Sequence, residues 1–492
     1  MMRIVYIILL FFIPIVISAQ ETAMNLEDCR QRALLHNKKI KIADENRLMM
    51  NSIYKSAKTQ HFPRFGINGG YIRTNRELSL LQNDLFLPVI PQEAIVNGEF
   101  NRDIFFSNPD LMRETFVTGD LFGQPVPITD ENGDYIFQNY TYLPKDEAKI
   151  GFENIFLFNV GMTQPIYMGG KIRELNNLAE YGEDLFVHKK ELTKTEVIVE
   201  TDKKYWQVIS LKEKVKLTTI YKKMIDSLLV DLNNIYQEGI ITQNEVLKAK
   251  VKSNQIELKL LKAENGLSLA QMALNQTLGF PLDTAINLSD SIVINESIIA
   301  NNNMTEKALE SRTEIDMVNS TIKISKSAER LMKSRYLPNI GLTANYMFMN
   351  PNPYNGFEEK FGGDWSVGVM VNIPLWHWND KKHTLSAARH KTNALKEQLE
   401  EAQEMITLEV QQTLFKFSES EKRVELTQAS LKQAEENLSM TKDNFDEGIV
   451  NTTGLLEAQT MWQEAYAEFI EAKTENKLSE TELLKVTGQL NY

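Results

Sequence analysis

The sequence predicts a mainly α-helical chain that also contributes strands to a transmembrane β-barrel, arranged as a tandem repeat. Three observations predict it. Short segments of strict period-two alternation end at prolines, as strands with two different faces do. Long proline-free segments follow them, one with an apolar residue at every seventh position. The whole arrangement then occurs twice at shared spacing.

The first nineteen residues read as a secretory leader: Arg3, an apolar run from Ile4 to Ile17, then Ser18 and Ala19 before the expected cleavage. The run is shorter than the roughly 20 residues a spanning helix needs. Asn25 to Asn37 and Lys38 to Gln60 read as two helices. After Pro63 comes a strand with Phe65, Ile67, Gly69 and Tyr71 on one face and Gly66, Asn68 and Gly70 on the other. Ile72 to Glu153 holds Pro88, Pro91, Pro109, Pro125, Pro127 and Pro144 and the turn signal Asn132-Gly133. It is expected to be a long extracellular loop with small hairpins of its own. Phe156, Phe158, Val160 and Met162 then alternate with Leu157, Asn159, Gly161 and Thr163, and Pro165 is expected to end this strand.

A proline-free helical region from Gly169 to Leu278 is broken near Glu238-Gly239. Pro281 to Asn303 reads as a connector, with a short strand expected at Ile292 to Ile294, and Met304 to Arg335 as helix. Beyond Pro338, Ile340, Leu342, Ala344, Tyr346 and Phe348 face one way and Gly341, Thr343 and Asn345 the other. The last strand sets Trp365, Val367, Val369, Val371 and Ile373 against Ser366, Gly368, Met370 and Asn372. Pro374 stops it, and Asn379 or Asp380 is placed to cap a helix that meets no further proline.

Pro165 and Pro374 lie 209 residues apart, and the same offset carries Trp206 onto Phe415, Glu238-Gly239 onto Glu447-Gly448, and Gly279 onto Gly488. Upstream, an offset of 275 carries Pro63 onto Pro338 and Tyr71 onto Tyr346; the extra length is the first loop. The expected segments are a leader (1–19), a first repeat (20–279) with the insert 72–153, a connector (280–303) and a second repeat (304–492). Val410, Phe417, Val424, Leu431, Leu438 and Phe445 recur every seven residues, which implies a left-handed seam against another helix. A helix from Asn379 to Phe445 is about 100 Å long, too long for a globular core, so an extended bundle or tube is expected.

Four strands cannot close a barrel, and a lipid-exposed sheet cannot leave its edges open, so closure must come from other copies. Two copies give eight strands and a filled interior; three give twelve and a lumen. The small residues on the second face suit a wet interior. Aromatics near strand ends (Tyr71, Tyr167, Tyr346, Trp365, Trp376 and Trp378) suit an interfacial girdle against outer-membrane lipid.

The formal net charge is −12, and losing Arg3 with the leader takes it one unit lower, which argues against nucleic-acid binding. No phosphate loop, nucleophile elbow or zinc motif is present, so no catalytic residue, cofactor or metal is expected. His377, His383 and His390 fit no usual ligand spacing and read as surface histidines. The only cysteine, Cys29, reads as a small apolar residue in a short helix.

The chain at this point resembles the TolC-type outer-membrane channel family. The resemblance rests on the doubled architecture, on YQEGIITQNEVLKAK and FDEGIVNTTGLLEAQ at the helix breaks, and on QPIYMGGKIR and IPLWHWNDKK at the strand-to-helix junctions. It covers nearly all of the mature chain. It implies a homotrimer in the Gram-negative outer membrane, with four strands per chain in a twelve-stranded barrel and a long periplasmic α-helical coiled-coil barrel. It also implies a periplasmic adaptor and an inner-membrane pump as partners. The expected function is a passive exit duct for small molecules in a tripartite efflux pump. The alternatives are a type I protein-secretion duct of the same fold, or a structural or adhesive coiled-coil surface protein.

The helix breaks are the candidate gate. Gly239 and Gly448 can supply the positive φ needed to reverse the chain at a hairpin. By position, Glu245 and Glu457 match acidic residues near the family's constriction, where a three-fold carboxylate ring disfavours anions. Phe445 and Val450 stand where some members carry a tyrosine and an arginine that lock the closed tip.

Overall fold

A computed structural model describes residues 23–75, 78–292 and 303–490. The leader lies outside these residues, as do residues 293 and 294 of the strand expected in the connector; Ile292 belongs to no strand. The chain forms two compact units, each drawing on both repeats.

The helical unit takes the described residues up to His61, those from Met168 to Pro338, and those from Ile373 on. Its first repeat supplies α1 (Leu26–His36), α2 (Lys38–Lys58), α3 (Lys171–Gln237) and α4 (Gln243–Leu278). The second supplies α5 (Met304–Ser311), α6 (Thr313–Ser334), α7 (Asp380–Asp446) and α8 (Thr452–Val486). Helices α3 and α7 are both 67 residues long, about 100 Å at 1.5 Å per residue. The 209-residue offset relates them at both ends. Asn25 opens α1 with a reciprocal cap, accepting from the Asp28 amide at 2.8 Å while Asp28 accepts from the Asn25 amide at 3.1 Å.

The helix expected as one piece from Met304 to Arg335 is two, broken at Arg312. Arg312 lies at the 275-residue offset from Asn37, which breaks α1 from α2, and both residues have extended backbone angles. The Arg312 guanidinium holds the corner by donating to Glu314 at 2.7 Å and Glu409 at 3.0 Å.

One core packs Val197, Tyr205, Trp206 and Ile209 of α3 against Cys29 and Ala33 of α1 and Leu274 and Leu278 of α4. Its counterpart packs Ile406, Val410 and Phe417 of α7 against Leu483 and Val486 of α8 and Met304 and Ala308 of α5. Along the seam Val410, Phe417, Val424 and Leu431 are buried. The repeats are also tied to each other. Glu174 of α3, almost wholly buried, accepts from Arg330 Nε of α6 at 2.8 Å. Asp202 of α3 takes a bidentate pair from Arg30 and a bond from Thr481 of α8 at 2.9 Å.

The second unit spans Phe62–Tyr167 and Asn339–Asn372. Strands β1 (Arg64–Arg73), β2 (Asn154–Met168), β3 (Asn339–Asn350) and β4 (Gly362–Asn372) form one sheet in that order. Pro165 does not end β2, which continues to Met168. The β1 register stops at Arg64 opposite Thr163, so Pro165 lies beyond any β1 carbonyl that would need its missing N–H.

The insert between β1 and β2 is more than a loop. It holds helices Arg102–Ser107 and Pro109–Thr115 and four small two-stranded pairs. Phe105, Leu111, Met112 and Phe116 are buried at its centre, with the Phe105 and Phe116 rings edge-to-face at 5.3 Å.

Candidate functional site

The sheet register decides which residues share a face, because directly paired residues point the same way. Between β1 and β2 the pairs Phe65–Met162, Ile67–Val160, Gly69–Phe158 and Tyr71–Phe156 alternate with Gly66–Gly161, Asn68–Asn159 and Gly70–Leu157. Between β3 and β4, Ile340–Val371, Leu342–Val369, Ala344–Val367 and Tyr346–Trp365 alternate with Gly341–Met370, Thr343–Gly368 and Asn345–Ser366. Apart from Phe348, which faces Gly363, and Ile373, which lies just past the end of β4, every residue assigned to the apolar face by alternation pairs with another such residue. The small and polar set does the same except at the strand ends, where Thr163 faces Arg64 and Asn372 faces Asn339, and across β2 and β3 the Asn345 amide lies against Gly161, leaving no room for a β-carbon there. On the apolar face Ile67, Val367 and Val369 are all about two-thirds exposed or more. Strands β1 and β4 are the two edges of the sheet.

Of the aromatics expected to form a girdle, Tyr71 donates to Asn154 at 2.7 Å, and Tyr346 pairs directly with Trp365. Tyr167 is half exposed near the end of β2. Trp376 and Trp378 lie in the segment before α7, edge-to-face at 5.8 Å and largely exposed. Asn379 occupies the cap position of α7, but with a left-handed φ of 65° and no side-chain cap bond.

Both helix breaks close in the same way. At the first, the Gly239 amide donates to Tyr236 O at 2.9 Å and the Ile240 amide to Ile235 O at 3.2 Å. At the second, Gly448 donates to Phe445 O at 2.9 Å and Ile449 to Asn444 O at 2.8 Å. This is the paired closure of a Schellman motif, which needs a left-handed residue. The two glycines have φ of 78° and 76°, with open space where a β-carbon would stand. Conformation, not crowding, requires glycine here. The following turns expose Ile240 and Ile449.

The structure brings the two breaks together. Leu228 and Leu232 of α3, Val246 and Ala249 of α4, and Leu455 of α8 are buried in one cluster, and Leu438 and Phe445 of α7 pack on it. Val450 is half-buried and fills the space beside Gly454, where a β-carbon would lie 2.7 Å from its methyl. Lys248 Nζ donates to Glu245 at 2.9 Å and to the Thr453 hydroxyl at 3.2 Å, joining α4 to α8. The second Glu245 oxygen is buried without a hydrogen-bond partner, whereas Glu457 is exposed.

Sequence reasoning missed the bonds between the two hairpins: Lys248 to Thr453, Tyr221 to Thr460 at 3.1 Å, and Lys214 to Glu471 at 2.5 Å. Lys248 stands inside the first break motif and Thr453 inside the second, so their place near the candidate gate was visible; that they bond to each other was not.

Residues 153–280 and 304–489 match the family described as Outer membrane efflux protein, leaving nearly all of the insert outside the match. The chain is 19% identical over 303 residues to the outer membrane protein TolC of Vibrio cholerae, covering 61% of this chain and 69% of that protein. It is similar in fold to the CmeC outer membrane channel of Campylobacter jejuni, with a TM-score of 0.69, 15% identity, and coverage of 95% of this chain and 87% of that one. The open-state MtrE outer membrane channel of Neisseria gonorrhoeae gives a TM-score of 0.68 at 14% identity, covering 94% and 88%.

Proposed function

As the chain belongs to the outer membrane efflux protein family, we propose that three copies form the outer-membrane exit duct of a tripartite pump that exports small molecules. The observation that carries this reading is the sheet: four strands in register, one face continuously apolar, with β1 and β4 as edges. A sheet with an apolar face in lipid cannot leave edge N–H and C=O groups unpaired, so β4 of one copy pairs with β1 of the next. Three copies give twelve strands and a lumen wide enough for solute, lined by Gly66, Asn68, Gly341, Thr343, Ser366 and Gly368.

The helical hairpins form the periplasmic tube, and the two breaks form its gate. Closure rests on the apolar cluster around Leu232, Leu455 and Phe445, with the Lys248 bridge holding the hairpins side by side. Opening separates the hairpins, and an adaptor that binds the separated tips more tightly shifts that equilibrium. The Glu245 and Glu457 carboxylates make the passage cation-preferring. A duct needs no catalytic group; energy comes from the inner-membrane pump.

Cysteines placed at facing edge positions of β1 and β4 test the assembly. They should cross-link copies into species no larger than a trimer. Ladders beyond three, or no cross-link in the outer membrane, contradict it. For the pump role, cells lacking the chain should retain a fluorescent pump substrate, and unchanged retention removes the efflux reading.

A further inference from the structure

The two strand-to-helix junctions are related by the 209-residue offset, which places Trp378-Asn379 where the first repeat has Gly169-Gly170. Both pairs adopt left-handed backbone: φ is 61° and 85° at the glycines, and 46° and 65° at Trp378 and Asn379. Glycine takes this conformation without strain, but a bulky side chain does not. At Gly169 a β-carbon would stand 2.7 Å from Leu337 and 2.8 Å from the Ser334 carbonyl, so glycine is required there. Trp378 instead bears the strain and leaves its ring 85% exposed. The edge-to-face contact with Trp376, itself exposed, does not bury the ring.

The surroundings of Trp378 indicate what does. Leu375, Trp376 and Trp378 line a cleft of about 480 Å³ together with Lys381, Lys382 and Arg389. Leu375 and Trp376 are exposed as well, at 88% and 73%. The nearby acids already have partners, one of them Arg389 of the cleft itself. Asp380 accepts from the Tyr336 and Thr384 hydroxyls, and Glu329 from Arg389 at 3.0 Å. Lys381 and Lys382 form no ion pair with any described residue. In the first repeat the counterparts are Ile172 and Arg173, and Arg173 is already paired with Glu174 at 3.2 Å. The first junction also exposes Ile166 and Tyr167 and carries Lys171, but it has glycine where the second has Trp378 and a paired Arg173 where the second has Lys382, so two indoles beside adjacent unpaired lysines are particular to the second junction.

We propose that the Leu375–Arg389 junction is a binding site for an anionic phospholipid of the periplasmic leaflet. The indoles and Leu375 sit at the level of the acyl chains and glycerol, and Lys381 and Lys382 hold the phosphate. This rests on the duct reading, since it needs β4 to end at the membrane surface. Charge selects the occupant. Both phosphatidylethanolamine and phosphatidylglycerol carry a phosphodiester, but the ammonium of the former cancels it and a cationic protein surface brings no anion, so only an anionic lipid brings net negative charge to the two lysines as the exposed rings enter the interface. Tryptophan is suited to that level because its ring is apolar and its N–H is wet.

The experiment reconstitutes the full-length trimer into nanodiscs of equimolar phosphatidylethanolamine and phosphatidylglycerol. Lipid retained after mild detergent extraction is then counted by native mass spectrometry. Phosphatidylglycerol should be enriched over phosphatidylethanolamine, and Lys381→Gln and Lys382→Gln should each cut that enrichment about fivefold. Trp378→Gly, which relieves the strain, should lower retention of both lipids and should not reduce the thermal stability of the lipid-free trimer. Lys171→Gln at the other junction should leave the ratio unchanged. Retention in the bulk ratio by the wild type overturns the proposal, as does equal enrichment in the double lysine variant. Failure of the trimer to insert at all contradicts the duct reading instead.

Discussion

Glu174 shows how a single side chain joins the repeats. Burial alone raises its carboxyl, but hydrogen bonds from Arg330, Asn177 and Arg173 outweigh that and hold it below the ordinary glutamate value of 4.5. A depressed carboxyl contributes stability that is fully present above 4.5 and is lost as pH falls through the lower folded value. Glu174→Gln should therefore destabilise the detergent-solubilised trimer by about 1–3 kcal/mol at neutral pH. The gap to wild type should close on acidification well below 4.5, and equal pH dependence in thermal unfolding contradicts the assignment. Residues that dictate backbone were readable in the sequence: Gly239 and Gly448 signalled a left-handed turn, and the structure has one at each. Residues that act through a distant partner were not. Lys248 and Thr453 lie 205 positions apart, and nothing local marks them as neighbours. Trp378 carries no sequence signal for positive φ, so its strain emerged only in three dimensions.

Among the elements, β4 gives the sharpest contrast between adjacent positions. Arg at Val369, on the apolar face, places a charge toward lipid at a cost of about 2–4 kcal/mol. Trimer yield should fall. Arg at Gly368, paired with Thr343 on the opposite face, should leave assembly intact and alter conductance. The reverse pattern in heat-modifiable gel mobility contradicts the facing. Period-two alternation revealed these faces because one side of each strand is apolar throughout, and the long helices were equally legible from absent prolines and seven-residue spacing. The insert was not. Its core residues, Phe105, Leu111, Met112 and Phe116, follow neither helical nor strand periodicity over any useful length. Pro88 and Tyr140 pair directly within it, so an Asn-Gly turn can replace 89–139 without breaking that ladder. The shortened chain should still form trimers, because residues 89–139 supply nothing to the four-stranded sheet, although Ile72 and Arg73 at the start of the expected insert belong to β1. Loss of trimers on non-denaturing gels shows that the insert is part of the assembly.

At the scale of the whole molecule, the tandem repeat explains how one chain can serve the proposed three-fold duct. Each copy contributes two equivalent helical hairpins, so three copies place six similar hairpins around an axis. The 209-residue offset holds at both ends of α3 and α7, and family membership favours a channel over the structural or adhesive coiled-coil reading of the same heptads. The central claim is that the assembled chain conducts and that its helix breaks set the resistance. Single-channel recording of the purified trimer in planar bilayers tests it most directly, comparing wild type with the combined Glu245→Gln and Glu457→Gln variant. Discrete cation-preferring steps are predicted for the wild type, with reduced preference and weaker block by divalent cations in the variant. Identical conductance and block would remove these acids from the constriction, and a trimer that inserts without conducting contradicts the account as a whole.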